Sequence, residues 1–463
     1  MVTKNVEPTR GREGRKPFMI NSVLLSLIDP VRGEPTKSLL DGNPDDDVSR
    51  SHQLKEKFLD SFALICSTSS SGSVTASAVC MEQNQSFENT LRVARNHSFS
   101  PQNIDSLRKI LQILTAVANR DKLPGQAESE ALREIADLDQ DRIRSFVTKL
   151  EKSGIQTIFK QAISNLFGSE RNEEILEYPR FRQWIKTCPF MSASLSSSET
   201  ARLVSYIMWA SQARWTYPKH LKALLAFGSE PLPPWMETLH KLARYWAAVK
   251  SMVKLAVKQP RVFANIQIQE IKAPEQESFR LSPKEMHLRE ALQRLVKNDC
   301  RTTMDKLAQR WKTNDVEGKL RDKCKVNLTL HAEMQLVGFY ERNPDLVPQL
   351  RLMGTSKKAC FLCHEFLLRH PLGIRVSACH QKVYPTWMPP PSHNVPGTPR
   401  NKLFWDFSKH IERVTVKALK TELSARQRPK TRDSTAGGSL TETATIPTEF
   451  LVRQHLLFDR DGI

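Results

Sequence analysis

The chain has 463 residues, 39% hydrophobic and 26% charged, with a formal net charge of +19. At roughly 100–200 residues per domain this length holds several domains, and the apolar fraction excludes uniform disorder. The charge is unevenly placed: residues 1–200 sum to zero, 201–330 carry 24 basic and 12 acidic groups, 331–399 carry 7 and 4, and 400–463 carry 12 and 8. Such asymmetry fits a polyanionic partner, nucleic acid or an acidic membrane surface, and fits a basic solvated surface equally well. The start, MVTKNVEPTRGREGRK, has no apolar core of secretory length. The longest uncharged run, Ser61 to Met81, is too rich in Ser and Thr to span a bilayer; of the polyanions, nucleic acid rather than a membrane is the expected partner. Eight cysteines in 463 residues are too sparse for a disulfide framework. The expectation is a reduced intracellular protein, cytoplasmic or nuclear, whose paired cysteines are suspected metal ligands.

In chain order, residues 1–50 read as a disordered arm ending in the acidic turn text DGNPDDD. Leu54, Phe58, Phe62 and Ile65 then fall on one helical stripe. Amphipathic helical text, punctuated by Pro and Gly, continues to Lys258, and this predicts a helical domain over 51–258. The pattern changes at 262–271 (VFANIQIQEI), whose alternation predicts a strand. Helical text follows from Ser282 to Trp311, a short apolar segment from Val326 to Leu330 and a helix from His331 to Arg342. A strand is predicted at Leu350–Met353, a helix at Cys360–His370 and another strand at Ile374–Ala378. Strands alternating with helices predict a small α/β domain over 260–400. A helix over 401–426 and a flexible Ser/Thr/Gly-rich tail over 427–463 complete the chain. No internal repeat is found.

The chemistry is concentrated in His331-Ala332-Glu333, followed 26 residues later by Cys360-Phe361-Leu362-Cys363. Imidazole and thiolate suit zinc, and a Cys-x-x-Cys opening a helix lets both sulfurs converge on one ion. The helix N-terminus and nearby Lys357 and Lys358 favour deprotonated sulfur. His331 supplies a third ligand, leaving a fourth position for water, as in a catalytic rather than a closed structural site. Glu333, two residues on, can reach that water without ligating the metal. H-x-E with a later C-x-x-C is the pattern of zinc-dependent base deaminases.

The text HAEMQLVGFYERNP, GTSKKACFLCHEFLLRHP and SACHQKVYPTW resembles the fungal deaminase-like family prototyped by a protein of the bacterium Orientia, within the nucleic acid and nucleotide (cytidine) deaminase superfamily. Upstream helical text, including KFLDSFALIC, is similar to the region preceding the deaminase unit in fungal members. The resemblance implies a three-layer α/β/α cytidine-deaminase-like domain joined to the helical region. It implies Zn2+ on His331, Cys360 and Cys363, and Glu333 as the catalytic acid/base. It further implies hydrolytic deamination of a cytosine or adenine base, in a nucleoside, a nucleotide or single-stranded nucleic acid. Many deaminases place Pro directly before the first cysteine, where this chain has Ala359.

The contrasting reading is a catalytically inactive, zinc-stabilised protein that binds nucleic acid or protein. A structural zinc in such a protein would recruit a fourth protein ligand, from Cys324, His364, His370, Cys379 or His380, and either a fourth ligand or a plugged site would mark this reading. Of these, His364 is expected to point to the surface, Cys379 and His380 to be core or rim, and Cys324 to be incidental. Lys357 and Lys358 read either as phosphate contacts or as solvated lysines. Tyr384 and Trp387 read either as base-stacking groups or, for Trp387, as cover for the sheet. Cys66, Cys80, Cys188 and Cys300 are expected at buried or neutral positions.

Overall fold

The computed structural model describes residues 14–37, 47–83, 88–167, 179–191, 198–225, 233–390 and 399–423. The expected tail over 427–463 lies outside the described residues. The N-terminal half holds α1 (Arg15–Ile28), β1 (Thr36–Lys37), α2 (Asp47–Ile65), β2 (Ser77–Gln83) and β3 (Asn89–Arg95). Next come α3 (Pro101–Ala118), α4 (Pro124–Leu138), α5 (Gln140–Lys152), α6 (Ile155–Phe167), α7 (Pro179–Lys186), α8 (Glu199–Trp215), α9 (Pro218–Leu224) and α10 (Pro234–Lys258). The remainder holds β4 (Ile266–Ile271), β5 (Glu277–Phe279), α11 (His287–Val296), α12 (Cys300–Trp311), α13 (Val316–Lys323) and β6 (Val326–Leu328). It closes with α14 (Ala332–Arg342), β7 (Leu352–Thr355), α15 (Phe361–Leu367), β8 (Arg375–Val376), β9 (Ala378–Cys379) and α16 (Pro399–Thr421). The protein is a mixed α/β molecule. Among the described residues, no helix is long and apolar enough to cross a membrane.

The central sheet has the order β4-β3-β2-β7-β8. Strands β4 and β3 are parallel, β3–β2 and β2–β7 antiparallel, and β7–β8 parallel. Two of its strands, β2 and β3, come from text read as part of a helical domain, and α1 comes from text read as a disordered arm. Both misreadings have one cause. Strand β2 is buried on both faces over nearly its full length, so the period of two never shows. Helix α1 is buried from Phe18 through Leu25 and displays no single apolar stripe.

Alternation along the strands divides the apolar side chains between two cores. Val79, Met81, Leu91, Val93 and Leu352 join Phe58 and Phe62 of α2 and the apolar faces of α3–α10. Ala78, Cys80, Ala94 and Met353 join Phe18 of α1, Leu336 and Val337 of α14, Leu362 and Phe366 of α15, and Phe407 of α16. Helices α3–α10 therefore share a continuous core with one face of the sheet. The sheet is also tied by Arg92 on β3. Its guanidinium donates to both carboxylate oxygens of Glu82 on β2 at 2.9 Å, and to Gln269 Oε1 on β4 at 2.6 Å. The same group lies 4.2 Å from the Phe339 ring centre of α14.

Helix α2 crosses β7 at very short range. Thr355 N–H donates to the buried Asp60 carboxylate at 3.0 Å. One turn earlier, burial and then the Asp60 charge push the Glu56 carboxyl up from 4.5 to about 7, against the pull of Lys57 and Arg375. A carboxyl whose folded pKa is raised destabilises the fold only where the unfolded chain would ionise. The penalty is therefore absent below the unfolded value, grows from about pH 4.5 to 7 and is constant above. Glu56→Gln is expected to raise stability at pH 8 by on the order of 2 kcal/mol and to change nothing at pH 4, read from urea midpoints at both pH values.

Candidate metal centre

His331 stands at the N-cap of α14 with extended backbone (φ −62°, ψ 149°), so its side chain is free to turn away from the helix. The work of capping falls to Asn96, directly after β3. Asn96 Oδ1 accepts the Ala332 N–H at 2.9 Å, while Asn96 Nδ2 donates to Ser73 O at 3.0 Å. Gln335 Nε2, buried on the first turn, donates to Arg95 O at 2.8 Å and Leu330 O at 2.9 Å. The end of β3 thereby fixes where His331 and Glu333 point.

Cys360 is the N-cap of α15, and its sulfur accepts the Cys363 N–H at 3.4 Å. Ala359, where many deaminases carry Pro, donates its N–H to Ala378 O of β9 at 2.9 Å and accepts from His380 N–H at 3.0 Å. Proline would lack that donor, so in this chain the turn into α15 is set by strand pairing rather than by a ring. Trp387, fully buried, donates its indole N–H to Cys363 Sγ at 3.2 Å. It is held there by Thr329, which donates to Thr386 O at 2.8 Å and accepts from Met388 N–H at 3.0 Å. Trp387 is thus cover for the sheet and a support for the sulfur.

The three residues converge. His331 Nδ1 lies 3.6 Å from Cys360 Sγ and 3.4 Å from Cys363 Sγ, and the three ligand atoms lie within 4.8 Å of one another. Tetrahedral zinc with Zn–S of about 2.3 Å and Zn–N of about 2.0 Å demands an N···S edge of ~3.5 Å. The group is compatible with zinc. Burial opposes ionisation of Cys360, but contacts from Cys363 and His331 outweigh it and hold this thiol well below its usual range. Burial and then Cys360 push the Cys363 thiol up, whereas His331 is raised because Cys360 outweighs its burial. Burial also pushes the Glu333 carboxyl up, against the pull of His331; it lies within hydrogen-bonding reach of the Cys363 thiol.

Among the described residues, none of the five possible fourth ligands joins the group. Cys324 is buried in the core beside α14. His364 faces Glu365 at 3.9 Å and is partly buried rather than a surface residue. His370 Nε2 is 3.1 Å from Glu341 Oε1, and Cys379 Sγ accepts from Gln381 N–H at 3.3 Å. His380 Nδ1 accepts the Lys382 N–H at 2.9 Å, and burial pushes this imidazole down to about 4. Cys66, Cys80 and Cys188 are buried as expected, Cys300 is half-buried, and all eight cysteines are free.

The open side of the group faces a cavity of about 290 Å³. His331, Glu333 and Cys360 form its floor, with His380 and Tyr384 beside them and Ser73, Asn96, Lys357 and Lys358 around it. The Tyr384 ring lies 6.1 Å from His331 and 5.6 Å from His380, edge-on to both. Sequence reasoning missed Asn96 and Ser73, because nothing local links Asn96 to a helix 236 residues later.

The Trp387 indole hydrogen bond orients the Cys363 sulfur of the candidate metal group. Trp387→Phe keeps an aromatic ring and removes the donor, and is expected to weaken zinc affinity by about 10–100-fold, measured by competition with a chromophoric chelator.

Residues 330–391 match the family model OTT_1508_deam, a deaminase-like family, which is the Orientia-prototyped family that the motif text resembles. No curated protein and no solved structure matches the chain.

Proposed function

We propose that the protein is a zinc-dependent hydrolytic deaminase of a cytosine or adenine base, built on a three-layer α/β/α deaminase-like unit. The observation that carries this reading is the three-membered His331–Cys360–Cys363 group, open on the side where Glu333 enters the same cavity. A structural zinc site would be closed by a fourth protein ligand. Zinc held by these residues supplies the Lewis acidity that makes water a nucleophile near neutral pH.

The chain's own groups account for the rest. Glu333, with its pKa raised by burial, accepts a proton from the attacking water and returns protons to the ring nitrogen and the departing amine. Tyr384, 38% exposed at the rim, offers a ring edge or face to the base. Asn96 and Gln335 hold the α14 N-terminus so that His331 and Glu333 keep one geometry.

The test is to incubate zinc-loaded protein with cytosine- and adenine-containing nucleosides, nucleotides and single-stranded oligomers and follow each by mass. Conversion of amino to keto form, a gain of about 1 Da with release of ammonia, is expected for one base. Absence of conversion across the panel, with zinc bound, would favour the inactive zinc-binding reading.

A further inference from the structure

The metal cavity has a cationic rim that no part of the hydrolytic chemistry uses. Lys357, four positions beyond the β7 residue Met353, lines the cavity together with Lys358. Behind this lining, Arg142 of α5 does not itself line the cavity; it is 4% exposed and anchored by a short hydrogen bond from Nη1 to Ser67 O. Both cations converge on the turn Ser71–Gly72–Ser73. A Cβ placed on Gly72 would stand 3.2 Å from Lys357 Nζ and 3.7 Å from Arg142 Nη2. The turn itself is lined with hydroxyls, with Ser71 Oγ 3.2 Å from Ser73 Oγ, and Ser73 faces the cavity.

The charges acting most strongly on the Lys357 ammonium are all positive: Arg142 and Lys149 of α5, Lys241 of α10, and Lys382 before Tyr384. Burial and these neighbours hold Lys357 down to about 8. Cations gathered beside a small-residue, hydroxyl-rich turn form an environment that a phosphate anion relieves.

We propose that Lys357, Arg142 and the Ser71–Ser73 turn form a phosphate subsite at the rim of the metal cavity, so that the substrate is a phosphate ester of a nucleoside. The subsite would hold the phosphate while the base enters toward Glu333. The nucleoside half of this statement rests on the deaminase reading, and the phosphate half does not. The phosphate can come from a free nucleotide or from a single-stranded nucleic acid backbone.

The experiment is equilibrium binding to the zinc-loaded, full-length Glu333→Gln protein, which prevents turnover. The probes are cytidine, adenosine, their 5′-monophosphates, and eight-nucleotide single strands of each base. At least one phosphate-bearing probe is expected to bind tenfold or more tightly than its nucleoside. Lys357→Met and Arg142→Gln are expected to collapse that ratio to within twofold of unity. Should either buried variant fail to fold, Lys149→Gln and Lys241→Gln are expected to lower the ratio two- to threefold each. Preference for a monophosphate assigns the free nucleotide. Preference for the oligomer, with affinity falling linearly in log salt, assigns the backbone. Equal affinity for nucleosides and phosphorylated probes, or no binding of any phosphorylated probe, overturns the subsite. A phosphate preference in a protein whose wild-type form deaminates nothing would overturn the deaminase reading and leave the subsite standing. Deamination without phosphate preference would do the reverse.

Discussion

Glu333→Gln is expected to retain one zinc per chain and to lose deamination by about 10²–10⁴-fold, the range typical of removing a positioned general acid/base. The two readouts separate because of where Glu333 sits. It shares the cavity with the metal group but is not a member of it, since the converging ligand atoms belong to His331, Cys360 and Cys363. Glutamine preserves size and the first turn of α14, so Asn96 still caps the helix and His331 keeps its place. What disappears is a group able to carry a proton. Metal content by elemental analysis and base conversion by mass, on the same preparation, check both halves. A zinc-loaded Gln variant with wild-type turnover would remove Glu333 from the mechanism, and a metal-free one would show that it ligates.

Gly354→Ala is expected to be the most damaging single methyl in the fold, costing about 3 kcal/mol or more in urea unfolding. An ideal Cβ at position 354 would stand 2.2 Å from Leu59 C, 2.4 Å from Leu59 O and 2.6 Å from Asp60 N. These are backbone atoms of α2, so no rotamer change can relieve the overlap. Helix and strand must separate, which would also break the bond from Thr355 N–H to Asp60 and loosen β7, the strand leading to Lys357 and Cys360. Gly338→Ala is the control. Its Cβ would meet only the Arg342 side chain, at 3.7 Å, so removing a mid-helix glycine from α14 should leave stability unchanged or raise it by up to ~1 kcal/mol. Equal losses at both positions would contradict the close approach of α2 and β7.

Much of the site was legible because its parts are local. His331 and Glu333 share one helical turn, Cys360 and Cys363 share another, and the periodicity from Ile266 to Cys379 marks the strands and helices that carry them. The family match over 330–391 covers the same stretch. Legibility fails where burial is complete or the partner is distant. The all-buried pattern of β2 hides its alternation, and the role of Trp387 depends on pairing with Thr329, 58 positions away. The charge count likewise does not locate individual charges. Residues 201–330 carry the largest excess, yet of the cations acting on Lys357 only Lys241 comes from that stretch. Net charge is a sum over a segment, whereas an electrostatic site depends on distances of a few ångströms.

By itself, then, the sequence determined a candidate donor set, the carboxylate beside it and the backbone periods that place them on helix starts, because ligand chemistry and helical spacing act over a few residues. Only the tertiary structure decided that β2 and β3 complete the sheet beneath α14, that Asn96 caps the helix bearing Glu333, that no fourth ligand among the described residues reaches the group, and that charges from α5 and α10 act on Lys357. Those facts join positions tens to hundreds of residues apart. Packing against two shared cores sets them, and no local pattern records which distant side chains a core brings together.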